Sequence, residues 1–111
     1  MPIVKITLPN DKPQKFQEDL IEIIESSIVD LFQVTADKII TSVTEINNFK
    51  QTQALNKTVL IEIIAYKGRS VEIRSKLLKT IHEKINKLYT TNKNELVIYL
   101  LEIEKENYFC S

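Results

Sequence analysis

With 111 residues, 43% of them hydrophobic, the chain holds enough material for a single domain with one core and too little for two. Lys plus Arg and Asp plus Glu balance at 15 each, so no net field steers it towards nucleic acid or an anionic membrane surface. The lone cysteine, Cys110, excludes an internal disulfide, no secretion signal stands at Met1, and no apolar run approaches the roughly 20 residues of a membrane helix, so the expected compartment is the cytoplasm.

The chain opens on Met1-Pro2-Ile3-Val4-Lys5-Ile6-Thr7-Leu8, in which Val4, Ile6 and Leu8 alternate with Ile3, Lys5 and Thr7 at the period of a strand over residues 2–8. Removal of Met1 would leave Pro2 as a secondary amine at the head of that strand. Such an amine has a reference pKa of roughly 7.7 to 8, which burial or neighbouring cations lower towards neutrality, and it is then a usable general base. Asn10-Asp11-Lys12-Pro13 reads as a turn and helix start, since Asp can cap free amides and Pro fits a first helical turn. Phe16, Leu20, Ile23, Ile24, Ser27, Ile28 and Leu31 then recur at helical spacing. Thr35-Ala36-Asp37 ends that pattern, and Ile39 to Ile46 reads as a second strand.

Residues 47–57 show neither period and form a linker; Asn56-Lys57-Thr58 matches a glycosylation acceptor, which without secretion means nothing. Thr58 to Ala65 is a third strand, Tyr66 to Ser70 a turn, and Val71, Leu77, Leu78, Ile81, Ile85 and Leu88 mark a second amphipathic helix before a fourth strand from Glu95 to Ile103.

An offset of 57 residues, without gaps, pairs Ile6 with Ile63, Leu20 with Leu77, Ile24 with Ile81, Ile28 with Ile85, Phe32 with Tyr89, Asp37 with Asn94 and Glu45-Ile46 with Glu102-Ile103. The chain is therefore one β-α-β unit written twice, residues 1–46 and 58–103. With right-handed crossovers, the expected fold is an α/β (α+β) domain: a four-stranded mixed sheet with both helices on one face. Its third and fourth strands are apolar on both faces, as in Leu60, Ile61, Ile63 and Ile64 or Val97, Ile98, Leu100 and Leu101, yet two helices cover only one. Another copy of the chain is expected to cover the other.

Lys67-Gly68-Arg69-Ser70, at the second turn, contains the only glycine of the sequence. Glycine permits unusual backbone angles and close approach of a ligand, Arg69 offers a planar fork of donors suited to a carboxylate, and Ser70 can cap the following helix. Its repeat mate is Asp11-Lys12-Pro13. His82 lies beside core position Ile81 and is read as structural; Cys110 is an incidental thiol.

With Pro2, the duplicated unit and Gly68-Arg69-Ser70, the sequence resembles the tautomerase superfamily, whose fold is like that of macrophage migration inhibitory factor. The ending Glu102-Ile103-Glu104-Lys105-Glu106-Asn107-Tyr108-Phe109 resembles the double-length branch that includes malonate semialdehyde decarboxylase. The resemblance implies a homotrimer whose sheets form an inner barrel, with an active site around each Pro2; the sequence shows no metal-ligand cluster, nucleophile triad or phosphate loop, so a cofactor-free reaction is expected. It implies that Pro2 is catalytic and that Arg69 and Lys67 bind a substrate carboxylate. Lys67 stands where the decarboxylase has arginine and loses the bidentate geometry. Asp37 matches an acidic residue near the start of the second strand, Tyr108 part of a hydrophobic wall, and Lys12 a first-turn arginine of the small tautomerases, whose other arginine falls near Ile40 here. The function so implied is proton transfer by Pro2 on a small keto or enol carboxylate, with decarboxylase or hydratase variants in which the proline acts as an acid. The alternative is a catalytically inactive trimeric binding or structural protein of the same fold, as a retained Met1 would require, since it makes the Pro2 nitrogen a tertiary amide.

Overall fold

The computed structural model describes residues 1–46, 58–92 and 95–111, so the expected linker and Asn94 lie outside the described residues. In chain order come β1 (Ile3–Pro9), α1 (Gln14–Phe32), a turn of 3₁₀ helix (Ala36–Lys38), β2 (Ile40–Ile46), β3 (Val59–Tyr66), α2 (Val71–Leu88), β4 (Leu96–Ile103) and a last 3₁₀ turn (Lys105–Asn107). The strands form one sheet in the order β2-β1-β3-β4, parallel within each β-α-β unit and antiparallel where β1 meets β3. The repeat holds to the level of register. Ile3 pairs with Ile40 and Pro9 with Ile46 in the first unit; adding 57 gives Leu60 with Val97 and Tyr66 with Ile103, which are the pairs of the second.

One face of the sheet carries Val4, Ile6 and Leu8 from β1 and Val59, Ile61, Ile63 and Ala65 from β3, all buried. Against it lie Phe16, Leu20, Ile24 and Ile28 of α1 and Leu77, Ile81 and Ile85 of α2. Burying an isoleucine or leucine side chain of this kind stabilises by about 1.5–3 kcal/mol, so this layer is the main favourable contribution to folding. Polar contacts place both helices on that same face. Thr41 and Glu45 of β2 bond Glu25 and Gln17 of α1, and Glu102 of β4 pairs with Arg74 of α2. The helices also meet each other, with the Phe16 and Tyr89 rings edge to face at 4.8 Å and the Tyr89 hydroxyl donating to Asp19 at 2.5 Å.

The opposite face carries Ile3, Ile40, Leu60, Ile64, Val97, Tyr99 and Leu101, of which Ile40, Tyr99 and Leu101 are exposed. Among the described residues no helix is long and apolar enough to cross a membrane.

The helix ends differ from each other. Ser70 caps α2 as its sequence suggests, its hydroxyl accepting from the Ile73 amide at 3.2 Å. The start of α1 departs from expectation: Pro13 itself occupies the capping position and no side chain caps the helix, so Asp11 does not do so. Because the proline ring fixes φ near −65° and brings no amide hydrogen, it can open the helix without a side-chain acceptor.

Candidate functional site

Strand direction decides which loops share an end of the sheet. Because β1 and β3 run antiparallel, with Ile3 opposite Ile64, continuing the register puts Pro2 beside Ala65, at the end where β3 leads through Tyr66 to Lys67, Gly68 and Arg69. Pro2 is fully buried, and its carbonyl accepts from the Ile40 amide at 3.0 Å. With Met1 in place the terminal ammonium donates to the Lys38 carbonyl at 2.8 Å, which ties the terminus to the 3₁₀ turn that carries Asp37. Four segments therefore gather at one end of the sheet: the amino terminus, the Ala36–Lys38 turn, the Lys67–Arg69 loop and the end of β4 with the tail beyond it.

Arg69 is the most firmly placed of the expected cations. Its guanidinium carbon lies 4.1 Å from the centroid of the buried Phe32 ring, and Nη1 donates to the Tyr66 carbonyl at 3.3 Å. A stacked guanidinium keeps its edge donors free, and among the described residues Arg69 forms no ion pair. Burial pushes its pKa below the ordinary arginine value, with the Glu102 carboxylate acting in the opposite sense. The loop reaches this position through Gly68, whose φ of 128° lies in a region that residues with a Cβ rarely adopt.

Lys67 differs from Arg69 in every respect but charge. Its amide donates to the Ile103 carbonyl at 3.0 Å, fixing the loop to the end of β4, while its exposed ammonium pairs with Glu104 at 3.0 Å. Tyr108 packs edge to face against Tyr66, ring centroids 5.8 Å apart, and Lys105 lies 5.9 Å from the Tyr66 centroid. The Tyr108 hydroxyl is held above the ordinary phenol range chiefly by burial. Asp37 is exposed, and a hydrogen bond from the Thr35 side chain is the main cause that lowers its pKa, so it is a carboxylate at neutral pH. His82 is exposed on α2, beside Leu78 and Leu96, away from this end.

Lys12 is not with them. It follows the carboxyl end of β1, so within one chain it lies at the opposite end of the sheet from Pro2, half-buried over the Phe16 ring at 5.2 Å. Residues that sequence reasoning missed are Phe32 as the seat of Arg69, Glu104 as the partner of Lys67, and Glu102, whose carboxylate acts on Arg69. Phe32 had left a trace, since its repeat mate is the aromatic Tyr89. Glu102 had left one too, as the repeat mate of Glu45, whereas Glu104 carried no spacing signal.

The fold matches solved structures at low sequence identity. The FG41 malonate semialdehyde decarboxylase inhibited by 3-bromopropiolate superposes with a TM-score of 0.81 at 14% identity, over 98% of this chain and 88% of that one. A malonate semialdehyde decarboxylase described with decarboxylase and hydratase activities gives 0.78 at 16%, over 98% and 90%. A fused 4-OT wild-type symmetric trimer gives 0.84 at 16%, over 98% and 93%. These likenesses concern the fold alone. No curated protein matches the chain by sequence. The sequence model described as "Tautomerase enzyme" matches residues 46–109, more than half of the chain, which therefore belongs to the tautomerase enzyme family.

Proposed function

We propose that the chain is a cofactor-independent enzyme in which Pro2, freed by removal of Met1, transfers a proton on a small keto or enol carboxylate held by Arg69. The observation that carries this reading is the ring-seated guanidinium of Arg69, which among the described residues forms no ion pair, at the same end of the sheet as the buried Pro2. As a base, the Pro2 nitrogen takes the proton from the carbon between a ketone and its neighbour, and the electron pair moves to the carbonyl oxygen as an enolate. The ammonium then returns the proton to give the enol. A cation near the nitrogen lowers its pKa and stabilises the enolate charge, so Arg69 serves both steps.

Lys67 would join in binding the anion by exchanging its Glu104 partner for substrate. Asp37, ionised and close in sequence to the start of β2, is a candidate acceptor for a substrate hydroxyl, and Tyr66 with Tyr108 a wall for its apolar part. Copies of the chain, three by the likeness to the fused trimer, would cover the sheet face that carries Ile40, Tyr99 and Leu101. The chain would work as a soluble cytoplasmic protein.

The test is enol-to-keto conversion of phenylenolpyruvate by Met1-free protein, with Pro2→Ala beside it. Loss of about two or more powers of ten in kcat/KM for Pro2→Ala, with the assembly intact by light scattering, is expected, because alanine keeps a terminal amine but changes its basicity and its position. Equal rates would mean that Pro2 is not the acid-base group, and no turnover in either protein would assign the chain to the non-catalytic binding reading. A proline that works as an acid would instead favour hydration or decarboxylation of a 3-oxo acid, and the same variant would abolish that reaction.

A further inference from the structure

The register gives the fold an internal two-fold. The pairs between β1 and β3 are exchanged among themselves when 57 is added to one residue and subtracted from the other, so Ile3 with Ile64 becomes Leu60 with Thr7, Val4 with Ile63 becomes Ile61 with Ile6, and Lys5 with Glu62 stays in place. The same operation carries Arg69 onto Lys12, Phe32 onto Tyr89 and Pro2 onto Val59. The end of the sheet that holds Pro2 therefore has a counterpart at the other end of the molecule.

That counterpart is a cavity of about 510 Å³, within the range of roughly 300–1,000 Å³ typical of small-molecule sites. Lys12, Phe16, Val59, Ile85, Leu88 and Tyr89 line it. A cation meets a ring at this end too, but a different ring: Arg69 sits over Phe32 at the end of α1, whereas Lys12 sits over Phe16, which packs edge to face with Tyr89, the repeat mate of Phe32, just past the end of α2. What changes is the chemistry at the proline position, where Val59 offers no amine.

We propose that this cavity is a second binding site, for a small monocarboxylate with an aryl or alkyl body, which binds without turnover. The apolar wall formed by Phe16, Val59, Ile85 and Leu88 suits the body. Lys12 suits the carboxylate: among the described residues it forms no ion pair. Of the other polar groups of the wall, the Tyr89 hydroxyl donates to Asp19, the Thr91 hydroxyl donates to Asn86 at 2.9 Å and the Glu95 carboxylate accepts from Asn92 at 2.6 Å. Val59 puts an alkyl group where the first unit has Pro2, so the terminal amine of that end has no counterpart here.

The test uses the full chain and methyl NMR at Ile85, Leu88 and Leu96, with phenylacetate as probe and phenylacetamide as its neutral counterpart. Phenylacetate is expected to give saturable shifts at these methyls, phenylacetamide to bind about tenfold or more weakly, and Lys12→Gln to weaken phenylacetate by a similar factor, as loss of a charged hydrogen bond implies. Arg69→Ala should leave these shifts unchanged, which separates the cavity from the Pro2 end and makes the result independent of any turnover there. Absence of saturable shifts, or equal affinity in Lys12→Gln, would overturn the proposal. So would a fall in turnover at Pro2 caused by Lys12→Gln, because Lys12 would then serve the Pro2 site of a neighbouring copy.

Discussion

Lys5 and Glu62 hold the same position in the two repeats, 57 residues apart, and they stand opposite each other at the centre of the sheet, Nζ to Oε2 4.0 Å. They are the one β1–β3 pair that the internal two-fold maps onto itself. Identical side chains there would set like charge against like charge at the seam, whereas the duplicated chain places opposite charges, and the Tyr99 hydroxyl extends the row by donating to Glu62 at 2.8 Å.

Lys5→Glu should therefore cost about 0.5–1 kcal/mol in a denaturant titration, the scale of a cross-strand charge pair turned repulsive. Adding Glu62→Lys should recover most of that loss. A double variant no better than the single one would show that the pair does not set the seam.

The Asp19–Tyr89 bond joins the helices across the repeat and makes a pH prediction. The Tyr89 hydroxyl, and after it Lys15, holds the Asp19 pKa below the usual carboxylate value, while the bond to Asp19 raises the pKa of Tyr89. A depressed carboxylate pKa stabilises the fold above its unfolded value of about 3.9, and that contribution fades as pH falls towards the folded value. A raised phenol pKa stabilises below about 10 and fades as pH climbs through the raised value. Measured by urea midpoints, the advantage of the natural chain over Tyr89→Phe should be flat near neutrality and shrink at both extremes. A constant difference from acid to alkali would contradict this.

Gly68→Ala isolates backbone strain. A Cβ there would meet no atom within 4 Å, yet φ is 128°, so the cost is conformational and should be about 1–3 kcal/mol. Thermal unfolding checks it; an unchanged melting temperature would mean that the loop relaxes to another conformation.

Seating and charge of Arg69 can be separated. Phe32→Leu keeps the core filled but removes the ring under the guanidinium, and should raise KM for a carboxylate substrate more than it lowers kcat, because it loosens a binding group. Arg69→Ala should lower kcat/KM by about two to three powers of ten, the cost of one well-placed electrostatic donor. Equal effects of the two variants would mean that the seat is the whole of the contribution.

How much of this was legible beforehand follows from the range of each interaction. The repeat, the two helical faces and the Ser70 cap are local or periodic, so the sequence displays them directly. Strand boundaries shifted by one residue, β3 running to Tyr66 rather than Ala65, because hydrogen-bonding partners on β4 decide where a ladder ends. The stack of Arg69 on Phe32 and the pairing of Lys67 with Glu104 join residues 37 apart in sequence, and no spacing rule reports such contacts. The position of Lys12 depends on the antiparallel meeting of β1 and β3, which sends the two equivalent loops to opposite ends of the sheet; the loop sequences carry no record of that direction.

The central claim is that the Pro2 nitrogen is an ionisable amine within the field of Arg69. Its most direct test is the pKa of the Pro2 nitrogen, read from its ¹⁵N shift in Met1-free protein, with and without Arg69→Ala. The account predicts a pKa at or below the ordinary amine range of roughly 7.7 to 8 in the natural chain, and a higher value once the guanidinium is removed. The same pKa in both proteins would contradict it.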